Sequence, residues 1–352
     1  MTEHSITAHP GRQPELTVAV ITLDTLESTR QLLRYLQAQT AKSRIEILIV
    51  CPSEERLALD PADLEGFAGY KVVAIGPFDT LHAPRVAAVR HASAPIIAYT
   101  EDHCFPAPDW AEALIEAHRG PWAAVGPIVG LANPRHHIAW VSYFMQYGDW
   151  VFSDVGAGGE AQDVAGHNSS YKRDALLAYG EHLDRIMVFE SVLHEDLRAR
   201  GHKLYVEPRA RAYHVFITRL LPFCREHYYI GRLLASTRRG RWPWGRRLLY
   251  LGGSPLIPFV RLFRILGMVR RHGWQRELLP GMLPSLFAGL LSSALGEMLG
   301  YAFGLGRAAR DTVDLDMNRW RYITDEEKAE LWSGRVLQFS ILPPRPGQRA
   351  TA

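Results

Sequence analysis

The chain has 352 residues, of which 47% are hydrophobic and 22% charged, with a formal net charge of +3. This length allows one large domain with an appendage, or two domains, and the composition is that of a globular protein without repeats or low-complexity tracts. Three widely spaced cysteines (Cys51, Cys104 and Cys224), with no C-x-x-C, argue against a disulfide framework and a structural zinc site and for a reducing compartment.

Residues 1–15 form a polar stretch with no apolar signal-peptide core, so export of the front domain is not expected. Leu16–Leu23 is apolar and rich in β-formers and reads as a strand. Asp24 or Thr25 is placed to cap a helix in which Leu26, Leu32, Leu33 and Leu36 recur at helical spacing. Ile45–Val50 and Lys71–Ile75 read as further strands, and Leu81–Ala92 as a helix with Pro84 in its first turn. A strand over 95–100, a helix over 109–118 and a strand near 122–129 come next. Such alternation predicts a mostly parallel sheet flanked by helices, an α/β fold. The absence of a G-x-G-x-x-G or Walker-type loop argues against a dinucleotide fold or a P-loop enzyme. Residues 133–163 are irregular, aromatic and Gly-rich. Ordered patterns resume at Gly166–Tyr171, in helices from Arg173 and around Ser191–Arg200, and in strands at Leu204–Val206 and Ala212–Val215.

Chemistry concentrates where the strand over 95–100 runs into Glu101, Asp102 and His103. In open α/β sheets ligands bind outside the carboxyl ends of the strands. Two carboxylates and an imidazole there, with no local basic partner, suit a divalent cation and a phosphorylated ligand. If the extended geometry persists, Glu101 and His103 point one way and Asp102 the other; if the turn begins one residue earlier, Asp102 and His103 share a side. A polar turn closing a strand is the alternative for this triplet. A second acidic cluster, Glu195 and Asp196 after His194, opens a helix that ends at Gly201, where capping alone also accounts for acids. His214 lies near the end of a predicted strand.

In this order the motifs resemble the inverting glycosyltransferases of family 2, which have the GT-A (Rossmann-like) fold. The matching stretches are Val18–Asp24, Ala87–Ala92, Ile97–His103, Gly166–Asp174 and His194–Pro208 with Tyr213–His214, together spanning roughly residues 16–216. The resemblance implies that Glu101, Asp102 and His103 grip the ribose and diphosphate of a nucleotide sugar through a divalent cation, with His214 joining the metal shell. It implies that Asp196, beside Glu195, is the general base that deprotonates an acceptor hydroxyl. Thr22 and Asp24 would line the nucleotide pocket, and Arg85 would contact the diphosphate unless it points outward from its helix. His103 replaces the usual final aspartate of the triplet, and its softer nitrogen favours Mn²⁺ over Mg²⁺. Cys51-Pro52-Ser53 stands where consecutive acids are usual, leaving Ser53 or Glu54 to meet the base.

The C-terminal third differs in character. Residues 225–276 hold twelve arginines, no lysine and one acid, Glu226, so the preceding residues are net acidic. Arginines alternate with apolar residues at helical spacing over Arg261–Arg271, an interfacial amphipathic pattern. Leu278–Gly296 is nineteen residues without a charge, near the length of a membrane span, but Pro280, Pro284 and then Glu297 interrupt it. A buried hairpin is the soluble alternative. Arginines beside apolar runs fit an anionic membrane surface better than nucleic acid. The expected organisation is a tail over 1–15, a catalytic domain over 16–224, a helical membrane-associating region over 225–306 and a polar tail over 307–352. The expected partners are a nucleotide-sugar donor, a lipid-linked or glycan acceptor and the cytoplasmic membrane face. Competing readings are a sugar nucleotidyltransferase, which lacks its Gly-rich N-terminal loop here, and an inactive membrane-recruited nucleotide-binding scaffold.

Overall fold

A computed structural model describes residues 2–6, 13–23, 26–57, 59–148 and 158–339. In chain order they form β1 (Thr2–Ile6), β2 (Leu16–Ile21), α1 (Leu26–Gln37), β3 (Ile45–Cys51), β4 (Gly69–Ala74), α2 (His82–His91), β5 (Ile96–Glu101), β6 (Cys104–Pro106), α3 (Trp110–Ala117), β7 (Trp122–Leu131) and α4 (His137–Tyr147). Then come β8 (Gly159–Ala161), β9 (Ser170–Lys172), α5 (Arg173–Leu177), α6 (Leu183–Ile186), α7 (Glu190–Ala199) and β10 (Lys203–His214). The helices α8 (Leu220–Arg241), α9 (Trp244–Gly253), α10 (Ile257–Arg271), α11 (Gln275–Phe303), α12 (Ala308–Met317) and α13 (Asp325–Leu331) complete the described chain. Contacts divide it into two units. The first comprises Met1–Ala132, Trp150–His214 and Ala329–Phe339; the second comprises Asn133–Asp149, Val215–Lys328 and Ser340–Ala352.

The first unit is α/β. Its sheet has ten strands in the order β1-β4-β3-β2-β5-β9-β7-β10-β6, with β8 pairing to β10. The long registers, β4-β3-β2-β5 and β7-β10, are parallel, while the short strands β6, β8 and β9 join antiparallel. Every residue of β2, β3 and β5 is buried, as a parallel strand covered on both faces requires. Leu16, Val18 and Val20 pack with Leu32, Leu33 and Leu36 of α1 and with Trp110 and Leu114 of α3. The two strands expected at 204–206 and 212–215 are one, β10, bulged between Glu207 and Arg211; Pro208 has no N–H to give the ladder there. Residues after α13, expected as a polar tail, return to this unit. Phe339 lies against Tyr35, Phe105 and Tyr213, and the Leu337 N–H donates to the Tyr35 hydroxyl at 2.9 Å.

His118, behind α3, sits 2.9 Å from the Ser170 hydroxyl, and burial pushes its pKa down to about 3, with Lys172 adding to the effect. The unfolded chain binds a proton here near pH 6.5 and the folded chain does not, so this residue removes stability as pH falls below 6.5. Acidification from pH 7 to 5 is expected to cost about 2 kcal/mol through His118, and His118→Gln should make the pH dependence of urea unfolding shallower by about that amount.

The second unit is helical. The stretch at 133–163 expected to be irregular contains α4, whose buried Trp140, Tyr143, Phe144 and Tyr147 recur at i, i+3, i+4 and i+7, the helical repeat. Pro280 and Pro284 fall inside α11 without ending it. α11 packs along α8 where glycines let the backbones approach. A Cβ at Gly296 would lie 2.0 Å from the Tyr228 carbonyl oxygen, and one at Gly300 2.6 Å from that of Arg232. Gly296→Ala is therefore expected to lower stability by about 1–3 kcal/mol, checked by thermal unfolding. Buried charges are paired: Arg319 with Glu226 and Asp316, and Glu297 with Arg261 at 2.6 Å. Two helical stretches, Trp244–Arg271 and Gln275–Phe303, are long and apolar enough to cross a membrane.

Candidate metal centre

The site is built where β5 ends. Glu101 is the last residue of β5, and Asp102 and His103 form the turn into β6. β6 runs antiparallel to the end of β10, setting His214 opposite Cys104 and hence beside His103. The imidazole centroids of His103 and His214 are 4.7 Å apart at 81°. Glu101 Oε2 lies 3.6 Å from His103 Nε2 and 3.3 Å from His214 Nε2, and all three residues are buried. Ligand atoms of this trio lie within 4.8 Å of one another.

Asp102 points elsewhere. Its Oδ1 is 3.1 Å from His103 Nδ1, and its Oδ2 accepts from the Ser28 hydroxyl of α1 at 2.6 Å. A carboxylate only accepts, so His103 carries its proton on Nδ1 and presents the Nε2 lone pair to Glu101 and His214. This is how a metal-binding histidine is commonly oriented and its basicity raised. Glu101 Oε2 and His103 Nε2 are buried without a hydrogen-bond partner. Two such acceptors facing one another are costly unless a cation sits between them, so the donor set fits a divalent ion. One carboxylate oxygen and two imidazole nitrogens suit a first-row transition ion such as Mn²⁺ better than Mg²⁺, which prefers all-oxygen shells.

A second layer surrounds Glu101. His167 Nδ1 is 2.9 Å from Glu101 Oε1. Beyond it, Glu190 at the start of α7 is ion-paired with Arg85 of α2. Burial alone would lower the His167 pKa, but Glu190 and Glu101 outweigh it and raise it to about 9. Burial would likewise raise the Glu101 carboxyl, yet the cationic His167 beside it holds it well below the usual carboxylate range. Burial acts on Glu190 too, but Arg85 and His167 bring it down to about 2. Arg85 also reaches His167 Nδ1 at 2.6 Å, so Arg85, Glu190, His167 and Glu101 form one charged cluster leading into the trio.

The structure thus brings Glu101, His103 and His214 together and sets Asp102 behind His103. Arg85, left open between inward and outward positions, points inward and is buried. Thr22 follows β2 and is buried, its hydroxyl accepting from Thr29 of α1 at 3.1 Å. Asp24 lies outside the described residues. Ser53 is half-buried just after β3. Glu195 is exposed on α7, and Asp196 accepts from the Tyr179 hydroxyl at 2.7 Å and from Arg200 at 2.6 Å. Asp196 is six residues along α7 from Glu190, about 9 Å of axial rise. Sequence reasoning missed Glu190 altogether and quoted His167 only as part of a motif. Nothing local marks either residue, because both acquire their partners from α2 and β5. Gly166 offers an indirect signal: a Cβ there would lie 2.6 Å from that of Glu190. Gly166→Ala is expected to push Glu190 off His167 and lower Mn²⁺ affinity about tenfold with little loss of stability, measured by metal titration and thermal unfolding.

No protein-family model matches the chain, and no curated protein matches it. Among solved structures, one described as "Crystal structure of GalNAc-T7 with UDP, GalNAc and Mn2+" aligns with a TM-score of 0.43 at 12% identity. The alignment covers 57% of this chain and 43% of that one, less than half of the other protein's length.

Proposed function

We propose that this chain is a metal-dependent inverting glycosyltransferase that moves a sugar from a nucleotide-sugar donor to a hydroxyl acceptor on a lipid-linked or membrane-proximal glycan. The observation that carries the proposal is the buried trio Glu101, His103 and His214 at the carboxyl end of β5, whose ligand atoms lie within 4.8 Å of one another. A divalent cation held there supplies Lewis-acid neutralisation for a departing diphosphate. The protein's own residues do the rest. Asp102 and Ser28 fix the tautomer of His103, and Thr22 and Asp24 border the nucleotide, with Ser53 near its base. Arg85 offers a guanidinium to diphosphate oxygens once these compete with Glu190.

The acceptor hydroxyl attacks from the face opposite the leaving group, so its base stands apart from the trio. Two carboxylates of α7 are candidates. Asp196 is the one the sequence motif singles out, and its side chain is 34% exposed. Glu190 is the one whose partners, Arg85 and His167, lead to Glu101. Glu190, its pKa held at about 2 while paired with Arg85 and His167, would gain basicity once diphosphate oxygens draw Arg85 away, and on that ground it is the base we propose. A panel of nucleotide sugars assayed with Mn²⁺ or Mg²⁺ tests the reading: Glu190→Gln should keep donor binding and lose about 10²–10⁴ in turnover, and Asp196→Asn should lose less. The opposite ranking returns the role to Asp196. Absence of metal-dependent donor binding across the panel would sink the proposal, transfer of a nucleotidyl group would favour a nucleotidyltransferase, and binding without turnover an inactive scaffold.

Attachment to the cytoplasmic membrane face is part of the proposal. It is supported by Leu256, Phe259, Val260 and Phe263, which lie at one-turn spacings and are exposed, and by Arg264, Arg270 and Arg271 on the same helix, also exposed. An exposed apolar stripe with adjacent arginines is the pattern of a helix lying in the headgroup plane.

A further inference from the structure

The second unit contains a cavity of about 560 Å³ that the transfer reading does not use. Arg225, Tyr228, Tyr229 and Arg232 of α8 line it from one side, and Arg307 and Asp311, at the start of α12, from the other. Elsewhere in this unit arginines meet buried carboxylates directly, Arg319 through Glu226 and Asp316 and Arg261 through Glu297. Here three guanidiniums share one cavity with a single carboxylate, Asp311, which lies 3.8 Å from Arg307.

Arg232 is held in place. Arg232 donates from Nε to the Gly304 carbonyl at 2.9 Å and lies 3.3 Å from the Tyr228 hydroxyl. Gly306 adopts φ +55°, and a Cβ there would lie 2.5 Å from an Arg232 terminal nitrogen, so the glycine keeps room for the guanidinium. Arg307, capping α12, has no side-chain cap bond, so the helix opens on the cavity with its positive end. Rigid guanidinium forks converging on one space match the several oxygens of a phosphate better than a single carboxylate. Two large apolar side chains are exposed near this polar space: Leu221, one turn before Arg225 on α8, is 72% exposed, and Phe303, which ends α11, is 74% exposed.

We propose that this cavity binds a phosphomonoester group, carried by an amphipathic lipid whose chains lie against the neighbouring exposed Leu221 and Phe303. The site is independent of the Glu101 centre. The test uses the full chain in a non-ionic detergent with EDTA, so that metal-dependent binding at Glu101 is silent, and follows calorimetric titration with three probes. These are dihexanoyl phosphatidate, dihexanoyl phosphatidylcholine and inorganic pyrophosphate. Saturable phosphatidate binding is expected, tighter than that of pyrophosphate, and weakened about tenfold by Arg225→Ala or by Arg307→Ala. Gly306→Ala, which displaces Arg232 without removing a charge, should act in the same direction. Arg307 is 79% exposed, so its variant tests binding rather than folding. Pyrophosphate binding as tight as phosphatidate, still lost in the arginine variants, would keep the phosphate site and remove the lipid. No saturable binding of either anion, equal binding of phosphatidylcholine, or binding unchanged in both arginine variants would overturn the proposal.

Discussion

Glu101→Gln is expected to abolish metal-dependent transfer, with a fall of about 10³ or more in turnover. The carboxylate is the shared element of the centre: it faces His103 and His214 through Oε2 and His167 through Oε1. The amide keeps the shape but removes the charge that makes the trio attractive to a cation. A bound metal contributes several kcal/mol to stabilising charge at a leaving group, and each 1.36 kcal/mol is about tenfold in rate. Asp102→Asn should be milder. It frees the tautomer of His103 without removing a ligand, and loss of such an outer partner costs about 10–100-fold in metal affinity. Titration of the chain with Mn²⁺ reads both effects without a substrate. Unchanged Mn²⁺ affinity in Glu101→Gln would remove the proposed centre, whatever the activity assay shows.

Replacing both Phe259 and Phe263 by serine should shift the protein from anionic vesicles to the supernatant, a drop in partitioning of about a thousandfold. Both rings are more than half exposed on α10. Burying such a side chain in an apolar phase is worth about 1.5–3 kcal/mol, so two of them amount to that factor. High salt should weaken binding of the native chain further, since each arginine near an anionic leaflet adds about 1 kcal/mol. Pelleting of the double variant with vesicles as fully as the native chain would remove the in-plane attachment. A single crossing by α11 would part residues that pack together, which argues for the in-plane placement we propose. Residues before it, such as Tyr35 and Phe105, and residues after it, such as Trp332 and Phe339, pack together in one unit. α11 is also packed along its length by α8, which carries Arg225, Glu226, Arg232, Arg238 and Arg239. Charges of that number on a helix crossing beside it would be costly in hydrocarbon.

Much of the first unit was legible before any coordinates. The strands at Leu16, Ile45 and Ile96 and the helices between them announce themselves because parallel strands buried on both faces are continuous apolar runs and amphipathic helices repeat at 3.6 residues. The period of a strand also allowed Glu101 and His103 to share a side, with Asp102 opposite. The short antiparallel strands were harder. Three residues such as Ser170–Lys172 or Cys104–Pro106 carry no period, and only their neighbours in the sheet make them strands. α4 does carry a helical repeat, at Trp140, Tyr143, Phe144 and Tyr147, but its Gly-rich continuation to 163 made the whole stretch read as irregular. Pro208 made the single bulged β10 read as two strands.

By itself the sequence determined the α/β layering, the acidic–histidine junction after β5, and the change to an arginine-rich apolar C-terminal region, all of which follow from local period and composition. The tertiary structure decided which side chains meet. The register of β6 on β10 delivers His214 to His103, and the approach of α1 gives Ser28 to Asp102. The start of α7 puts Glu190 on Arg85 and His167 while leaving Asp196 with Tyr179 and Arg200. It also resolved Glu297, which interrupts the apolar run in sequence but is neutralised in space by Arg261. The reason is common to all four cases: a charged or ligating side chain is defined by the partner that desolvates or neutralises it, and that partner lies dozens of residues away along the chain.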